Sequence, residues 1–95
     1  FLIKELVINS KSSISLQKHK FRSEHWTITS GKPKITINNK KFFKDINETV
    51  FIPKGAVHRI ENTFNKPVKI MEVQLGQILR ETDIIRYKDI YGRAN

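Results

Sequence analysis

Short β-like segments, each ended by a turn signal, run through most of this chain. In several of them apolar and polar side chains alternate, as where Ile14 and Leu16 are separated by Ser15, which is typical of a strand with one buried face. Many short strands in one small domain predict an all-β fold, an antiparallel sandwich or barrel. The predicted strands are residues 3–8, 13–19, 25–30, 34–38, 41–44, 49–52, 58–62 and 68–74.

Glycine, proline and asparagine residues mark the predicted turns. A hairpin-like break is expected at residues 31–33, and Asn38 favours the next turn because asparagine tolerates left-handed backbone conformations. The Pro-Lys-Gly sequence at residues 53–55 ends a strand and turns the chain. The last two strands follow each other closely, so we expect them to pair across residues 63–67.

The tail differs from the rest of the chain. After Gly76 the alternation stops, and a short helix at residues 77–81 or 84–91, or an irregular tail, is predicted. The chain has 95 residues without a repeat or a linker-like segment, so residues 1–95 are expected to form one domain. The first residue is Phe1 rather than Met, which is expected of a fragment of a longer protein.

The charge balance raises the question of an anionic partner. Eighteen Lys and Arg residues against nine Asp and Glu residues give a formal charge of +9, which is common in proteins that bind nucleic acid. The basic residues are nevertheless spread along the whole chain, without a block of like charges. We therefore expect no nucleic-acid partner, and interpret the charge as a solvated surface or as attraction for small phosphorylated substrates.

Three absences in the sequence bear on its location. There is no cysteine, no apolar run approaching the roughly 20 residues that span a bilayer, and no signal-peptide pattern. We expect a cytoplasmic protein without a membrane partner.

Four polar side chains on the predicted strands form a candidate metal site. Gln17 and His19 are two residues apart and share a strand face, Glu24 follows five residues later, and His58 comes after the turn at residues 53–55. Two imidazoles, a carboxylate and an amide oxygen are donors that zinc and related divalent ions accept. If the four meet, one further position on the ion is left for water or substrate, as in catalytic sites.

Strand parity adds a condition to this site. Because Glu24 is an odd number of residues from His19, the two would face opposite ways on one continuous strand. A turn or bulge is therefore required within residues 20–23. Beyond it, Glu24 and Trp26 share a face that is expected to be interior, whereas His25 is expected to face away from the ligands.

Two series of residues resemble the two motifs of the cupin family: Gln17-x-His19-x4-Glu24-x6-Gly31 and Pro53-x-Gly55-x2-His58-x3-Asn62. More narrowly, the chain is similar to the C-terminal domain of type II phosphomannose isomerases, a domain usually fused to a mannose-1-phosphate guanylyltransferase. The narrower similarity covers nearly the whole chain and rests on residues 15–19, 22–26, 52–55, 58–62, 72–76, 83–86 and 89–93.

The resemblance implies a double-stranded β-helix, the antiparallel jelly-roll barrel of cupins, with Gln17, His19, Glu24 and His58 as ligands of a divalent metal, for which zinc is expected. It implies a mannose-6-phosphate isomerase, which interconverts mannose 6-phosphate and fructose 6-phosphate for nucleotide-sugar and polysaccharide synthesis. It also implies a homodimer, and either a preceding guanylyltransferase domain or a stand-alone isomerase domain.

Three arginines are candidates for contact with a phosphorylated sugar, because guanidinium groups bind phosphate in a bidentate manner. Arg22, within the Arg-x-Glu-His-Trp match, is the arginine to which the resemblance gives a catalytic or substrate-binding role. Arg86 and Arg93 are further candidates in the tail.

Three other residues complete the predicted site. Glu72 and Gln74 share a parity with the apolar Ile70, so they are predicted to enter the pocket. There Glu72 is the candidate proton shuttle and Gln74 a partner for substrate hydroxyls. Trp26 is either a core residue or a stacking platform for the sugar.

Departures from the family pattern keep other functions open. Residues 18–21 retain one histidine where many members have a histidine-rich run, and Asn47 replaces a glycine. A non-catalytic sugar-binding or dimerisation module is therefore a second hypothesis. A third is an Fe(II) oxygenase built on two histidines and a carboxylate, against which Gln17 argues because oxygen chemistry needs more open positions. Nucleic-acid binding driven by charge is a fourth.

Overall fold

The computed structural model describes residues 1–76 and the short strand 85–86, and this part of the chain is built of antiparallel strands. They are β1 (Leu2–Ile8), β2 (Gln17–Lys18), β3 (Arg22–Ser30), β4 (Lys34–Ile37), β5 (Lys40–Phe43), β6 (Thr49–Ile52), β7 (His58–Glu61), β8 (Val68–Gly76) and β9 (Ile85–Arg86). One sheet has the order β1-β8-β3-β6 and the other the order β5-β4-β7-β2-β9. The all-β prediction is confirmed.

Alternation along the strands sends one row of side chains into the space between the sheets. In β3, Glu24, Trp26 and Ile28 are buried while His25 is exposed, as strand parity predicts. Apolar residues from both sheets, among them Ile28 and Ile60, form one core. Burial of each such side chain contributes about 1.5–3 kcal/mol, so the core is the main source of stability.

The connection at residues 31–33 crosses between the sheets. Gly31 has a φ of +80°, and a Cβ there would lie 2.8 Å from the carbonyl oxygen of Pro67, so only glycine fits this close approach. The chain leaves β3 in one sheet and enters β4 in the other, so the predicted hairpin-like break is wrong. By contrast, Asn38, with a φ of 53°, turns the chain between the paired strands β4 and β5, as predicted.

The predicted pairing of the last two long strands is also wrong. β7 pairs with β4 and β2, whereas β8 pairs with β1 and β3. Ile60 in β7 and Ile70 in β8 are both fully buried, and strands on opposite sides of one core bury both. The Asn62 side chain holds the connecting loop, because its amide nitrogen donates to the carbonyls of Ile8 at 3.1 Å and Lys66 at 2.7 Å.

Two further segments differ from expectation. The predicted strand at residues 13–19 is reduced to β2 and a single bridge between Ser13 and Glu61. In the tail, Ile85–Arg86 is a strand against β2, where a helix at residues 84–91 or irregular chain is predicted; the alternative helix at residues 77–81 lies outside the described residues. Within the described residues, no helix is long and apolar enough to cross a membrane.

Candidate metal centre

A bend between the two sheets brings His19 next to Glu24. After β2 the chain bends at Lys20 and Phe21 and then enters β3 in the opposite sheet. This is the turn that parity requires before Glu24 can face the same space as His19. The distance from His19 Nε2 to Glu24 Oε2 is 3.2 Å, and both side chains are buried.

The turn at residues 53–55 brings in His58. Gly55, with a φ of +77°, donates its backbone N–H to the carbonyl of His19 at 2.8 Å, and β7 begins three residues later. One ligand atom each from His19, Glu24 and His58 lies within 4.8 Å of the others. Three of the four predicted ligands are therefore close enough for one divalent ion to bind them together.

Gln17 adjoins this cluster on the neighbouring strand. Its Cα is the direct partner of His58 in the β2–β7 pair, and its side chain lines the same cavity. The amide nitrogen donates to the Ser15 hydroxyl at 3.3 Å. Because nitrogen is the donor in this hydrogen bond, the amide oxygen, which is the metal-binding atom of glutamine, remains for an ion.

Arg22 is buried against two of the candidate ligands. Its Nε donates to Glu24 Oε2 at 3.0 Å, and a terminal guanidinium nitrogen lies 3.0 Å from His19 Nε2. An arginine stays protonated and only donates, so the contact with Arg22 requires a lone pair on His19 Nε2, whereas a hydrogen bond across the 3.2 Å to Glu24 Oε2 requires a proton there. In the tautomer that accepts from Arg22, His19 and Glu24 both present acceptor atoms to a cation, which is the state that metal binding requires.

His58 is held in its neutral form. Burial lowers its pKa to about 4, against a hydrogen bond from Nδ1 to the Ala56 carbonyl at 3.1 Å that acts in the opposite direction. The Ala56 carbonyl accepts, so the proton of the neutral ring is on Nδ1 and Nε2 carries the lone pair. A backbone carbonyl that fixes the tautomer in this way is a common support for metal-ligating histidines.

Two buried carboxylates, that of the candidate ligand Glu24 and that of Glu72, share one indole N–H. Trp26 Nε1 donates to Glu24 Oε1 at 3.0 Å and to Glu72 Oε1 at 3.2 Å. Gln74 Nε2 donates to the other oxygen of Glu72 at 2.7 Å. Trp26 is 1% exposed, so it belongs to the interior and orients both carboxylates.

Glu72 differs in its protonation from an ordinary glutamate. Burial raises its pKa to about 7, and a hydrogen bond with Glu24 adds to the rise. Near neutral pH the side chain is therefore divided between its acid and its carboxylate forms. A group of this kind can both take and release a proton at that pH.

A cavity of about 150 Å³ connects these groups. The four candidate ligands line it, together with Arg22, Trp26 and Glu72. Three lining residues were not predicted from the sequence: Lys4, Leu6 and Ile14. They belong to no motif, although the alternation of β1 carries the signal that Lys4 and Leu6 share the inward face with Ile8.

The remaining predicted residues are placed as follows. His25 is exposed and stacks on Phe51, with ring centroids 4.9 Å apart, so it lies outside the cluster as predicted. Gln74 is fully buried and contacts Glu72. The backbone of Arg86 pairs with Gln17 at the sheet edge. Arg93 lies outside the described residues.

The two antiparallel sheets, with histidines and a glutamate clustered inside them, define a cupin, a double-stranded β-helix protein. A Klebsiella pneumoniae structure with a double-stranded β-helix domain superposes on 88% of this chain and 71% of that chain, with a TM-score of 0.78 and 15% identity. The family model described as mannose-6-phosphate isomerase C-terminal matches residues 1–89, and the chain belongs to this family.

Two relatives show the context in which such a domain occurs. A mannose-1-phosphate guanylyltransferase of Klebsiella pneumoniae is 41% identical over 94 residues, and the alginate biosynthesis protein AlgA of Pseudomonas aeruginosa is 40% identical over 94 residues. Each match covers 99% of this chain. The chain spans only 20% of the length of either relative.

Proposed function

We propose that this domain is a metal-dependent aldose–ketose isomerase that interconverts mannose 6-phosphate and fructose 6-phosphate. The observation that carries the proposal is that His19, Glu24 and His58 meet beside Glu72 in one cavity. Membership of the mannose-6-phosphate isomerase C-terminal family supports the substrate. The names of the relatives support a place in polysaccharide and nucleotide-sugar synthesis.

Gln17, His19, Glu24 and His58 are the residues that would hold the cation. Two neutral imidazoles, one carboxylate and one amide oxygen suit Zn²⁺ and its neighbours, and zinc is our first choice. A single carboxylate leaves the loaded site with a net positive charge, which favours an anionic phosphorylated sugar. When bound, the ion would polarise the sugar oxygens and stabilise negative charge that develops on them.

Glu72 is the proposed proton-transfer residue. Conversion of the aldose to the ketose moves one proton from C2 to C1 and one from the C2 hydroxyl to the carbonyl oxygen on C1. The Glu72 carboxylate would accept the C2 proton and return it to C1, which its pKa of about 7 allows near neutral pH. Trp26 and Gln74 hold its two oxygens in place for this transfer.

Arg22 and Gln74 have proposed supporting roles. Arg22 contacts His19 Nε2, balances the charge of Glu24, and lines the cavity. Gln74 Oε1 has no hydrogen-bond partner among the described residues although it is fully buried. Because Gln74 is not among the residues that line the cavity, its proposed role is to hold Glu72 through the hydrogen bond from its amide nitrogen.

The wider context is proposed on the relatives. Because this chain spans 20% of their length, we propose that a guanylyltransferase domain precedes it in the whole protein. A homodimer, a cytoplasmic location, and roles for Arg86 and Arg93 in binding phosphate remain predictions from the sequence.

One observation favours a second candidate, a non-catalytic module. The Arg22 guanidinium already contacts both His19 and Glu24, so these two acceptors have a cationic partner without any metal. In that case the cluster would be a structural ion pair. Metal analysis of the folded protein separates the two functions, because a module of this kind takes up no divalent ion.

A coupled isomerase assay tests the proposed activity directly. The wild-type chain is loaded with Zn²⁺ or Co²⁺ and supplied with mannose 6-phosphate, and fructose 6-phosphate formation is followed. We expect turnover that His58→Ala reduces by about a thousandfold or more, because a ligand is lost. His25→Ala is the matched control, since His25 is exposed on the opposite face of β3 from the site.

Two results would count against the isomerase. One is a folded wild-type chain that shows no turnover with any divalent metal. The other is equal activity in His58→Ala and His25→Ala, which would separate the turnover from the candidate metal centre.

A further inference from the structure

We propose that the guanylyltransferase domain that precedes this chain in the whole protein packs on the outer surface of the β1-β8-β3-β6 sheet. This inference rests on the domain organisation given under the proposed function and is independent of the isomerase reaction. The docking surface, which we call the apolar face, is defined by outward apolar side chains on three of the four strands: Ile3, Val7, Phe51, Met71, Val73 and Leu75.

Strand pairing makes the apolar face continuous. Ile3 in β1 pairs with Val73 in β8. Val73 pairs on its other side with His25 in β3, and His25 pairs in turn with Phe51 in β6. One outward row therefore crosses all four strands, and within it the His25 and Phe51 ring centroids are 4.9 Å apart. Met71 enlarges this row from the next outward position of β8.

The distribution of charge sets the apolar face apart from the rest of the surface. Charged residues make up 28% of the chain, but at the outward positions of these four strands the charged residues are Glu5 and Lys69, which have opposite signs. The outer surface of the other sheet carries Lys34, Lys41 and Arg59. An exposed apolar patch that is depleted of charge is typical of the centre of a protein interface. The partner surface should therefore be apolar as well.

The size of the apolar face favours a tethered domain over a second copy of the chain. Four strands about 4.8 Å apart, seven to nine residues long in β1 and β8, give a flat area of about 500 Å². Covering it buries about 1,000 Å² on both partners together, which is less than the roughly 1,200–2,000 Å² of stable complexes between separate proteins. It lies within the roughly 600–1,500 Å² of contacts between domains of one chain. A covalent link supplies an effective concentration of about millimolar, so that such a contact forms.

The connection from a preceding domain would arrive at the edge of the apolar face. Phe1 directly precedes β1, which is the edge strand of this sheet, and is 82% exposed. Because Leu2 pairs with Gln74, the connection enters the sheet beside Leu75. The relatives, of whose length this domain is 20%, have enough additional chain for such a partner. A preceding domain could therefore reach the apolar face without a long linker.

Oxidation of Met71 by hydrogen peroxide tests whether the apolar face is covered. Met71 is the one methionine of this chain, and it is 47% exposed. In the whole protein, with the preceding domain, we expect Met71 to oxidise about tenfold or more slowly than in the chain alone, because the centre of an interface excludes solvent and peroxide. Mass spectrometry of the peptide that contains Met71 measures both rates.

Phe51→Glu and Phe43→Glu form a matched pair of variants in the whole protein. Each places a carboxylate at an outward strand position, where Phe51 is 52% exposed on the apolar face and Phe43 is 46% exposed on the other sheet. An unpaired charge is costly to bury in an apolar contact. Phe51→Glu should therefore raise the oxidation rate of Met71 to that of the chain alone, whereas Phe43→Glu should leave Met71 protected.

Equal oxidation of Met71 in the wild-type whole protein and in the chain alone would overturn the proposal, as would equal protection in the two variants. A whole protein whose mass leaves no room for a preceding domain would overturn it too. Sedimentation of the chain alone tests the other occupant: a dimer that Phe51→Glu dissociates and Phe43→Glu does not would assign the apolar face to a second copy.

These measurements separate the docking proposal from the proposed isomerase. None of them uses turnover, so a protein without isomerase activity that still protects Met71 would keep the docking and lose the reaction. An active isomerase with Met71 unprotected would have the opposite meaning. The wild-type comparison requires no variant, so a Phe51→Glu protein that fails to fold does not prevent the test.

Discussion

The two ends of the barrel interior are built on the same strands and yet differ in chemistry. In β8 the inward positions run from Val68 and Ile70 to Glu72 and Gln74, and all four are buried. In β3 the buried positions run the other way along the chain, from Arg22 and Glu24 to Trp26 and Ile28. Because β3 and β8 are antiparallel, the polar ends of the two strands lie side by side. The alternation of buried and exposed side chains is therefore common to the whole barrel. The candidate site results from polar residues at the buried positions of one end.

The apolar and polar ends contribute differently to stability. At the apolar end Ile28, Ile60 and Ile70 are 0% exposed. Their burial stabilises the fold and requires no hydrogen-bonding or charged partner. At the polar end each buried group requires a partner, as Arg22 and Glu24 provide for each other. Buried ion pairs add little net stability, but loss of one partner is expensive.

The largest expected effect comes from breaking the buried ion pair. Arg22→Met should lower the free energy of unfolding by about 3–5 kcal/mol, because the Glu24 carboxylate is then buried without its cation. Adding Glu24→Met should recover most of this loss. Urea unfolding of the metal-free single and double variants measures both values. A single variant within 1 kcal/mol of wild type would mean that the polar end tolerates an unpaired charge.

Creating a cavity at the apolar end should destabilise the fold nearly as much. No second substitution in a partner residue is expected to restore the lost stability. Ile70→Ala should reduce the free energy of unfolding by about 2–5 kcal/mol, since Ile70 is fully buried in the core on β8, the strand between β1 and β3. Zinc stoichiometry of the folded fraction should stay at the wild-type value. Met71→Ala is the matched control, because Met71 is the exposed neighbour on the same strand. Equal losses in the two variants would contradict the burial of Ile70.

The pH dependence of the free energy of unfolding should report the shifted pKa values of two groups at the polar end. The lowered pKa of His58, about 4 against 6.5, removes stability as pH falls from 6.5 towards 4, because only the unfolded chain then binds the proton. The raised pKa of Glu72, about 7 against 4.5, removes stability as pH rises from 4.5 towards 7. The two contributions oppose each other in the wild type.

Glu72→Gln should therefore lose stability more steeply on acidification than the wild type. The measurement is urea unfolding of metal-free protein at several pH values between 4.5 and 7.5. Superimposable pH profiles for the two proteins would show that Glu72 keeps an ordinary protonation state in the folded chain.

The smallest effect is expected from the shared indole N–H. Trp26→Phe removes the donor to Glu24 and Glu72 but keeps an aromatic ring in the core, so about 1–2 kcal/mol of stability should be lost. Metal affinity should fall by about tenfold or more, because the support of Glu24 is weakened. Calorimetric zinc titration against wild type checks the second value, and an unchanged affinity would exclude a role for Trp26 in orienting the ligand.

The sequence predicts the local features better than the long-range ones. Parity along one strand is a local property, so the inward face of Glu24 and Trp26 and the turn before them are predicted correctly. The choice of partner strand depends on burial across the whole core. For this reason the expected pairing between residues 58–62 and 68–74 is wrong.

Two contacts of the site depend on chain geometry that the sequence does not specify. The contact of Arg22 with His19 and Glu24 depends on a bend whose geometry the sequence does not specify. Lys4 approaches the cavity only because β1 pairs with β8, more than 60 residues later in the chain. Such contacts require the strand order, which no local pattern encodes.

Zinc titration of the metal-free chain by calorimetry tests most directly the claim that the polar end is a cation site. We expect one ion to bind per chain, with its binding abolished or weakened at least a hundredfold in His58→Ala and retained in His25→Ala. The absence of zinc uptake by the folded wild type, or equal uptake by both histidine variants, would contradict the account.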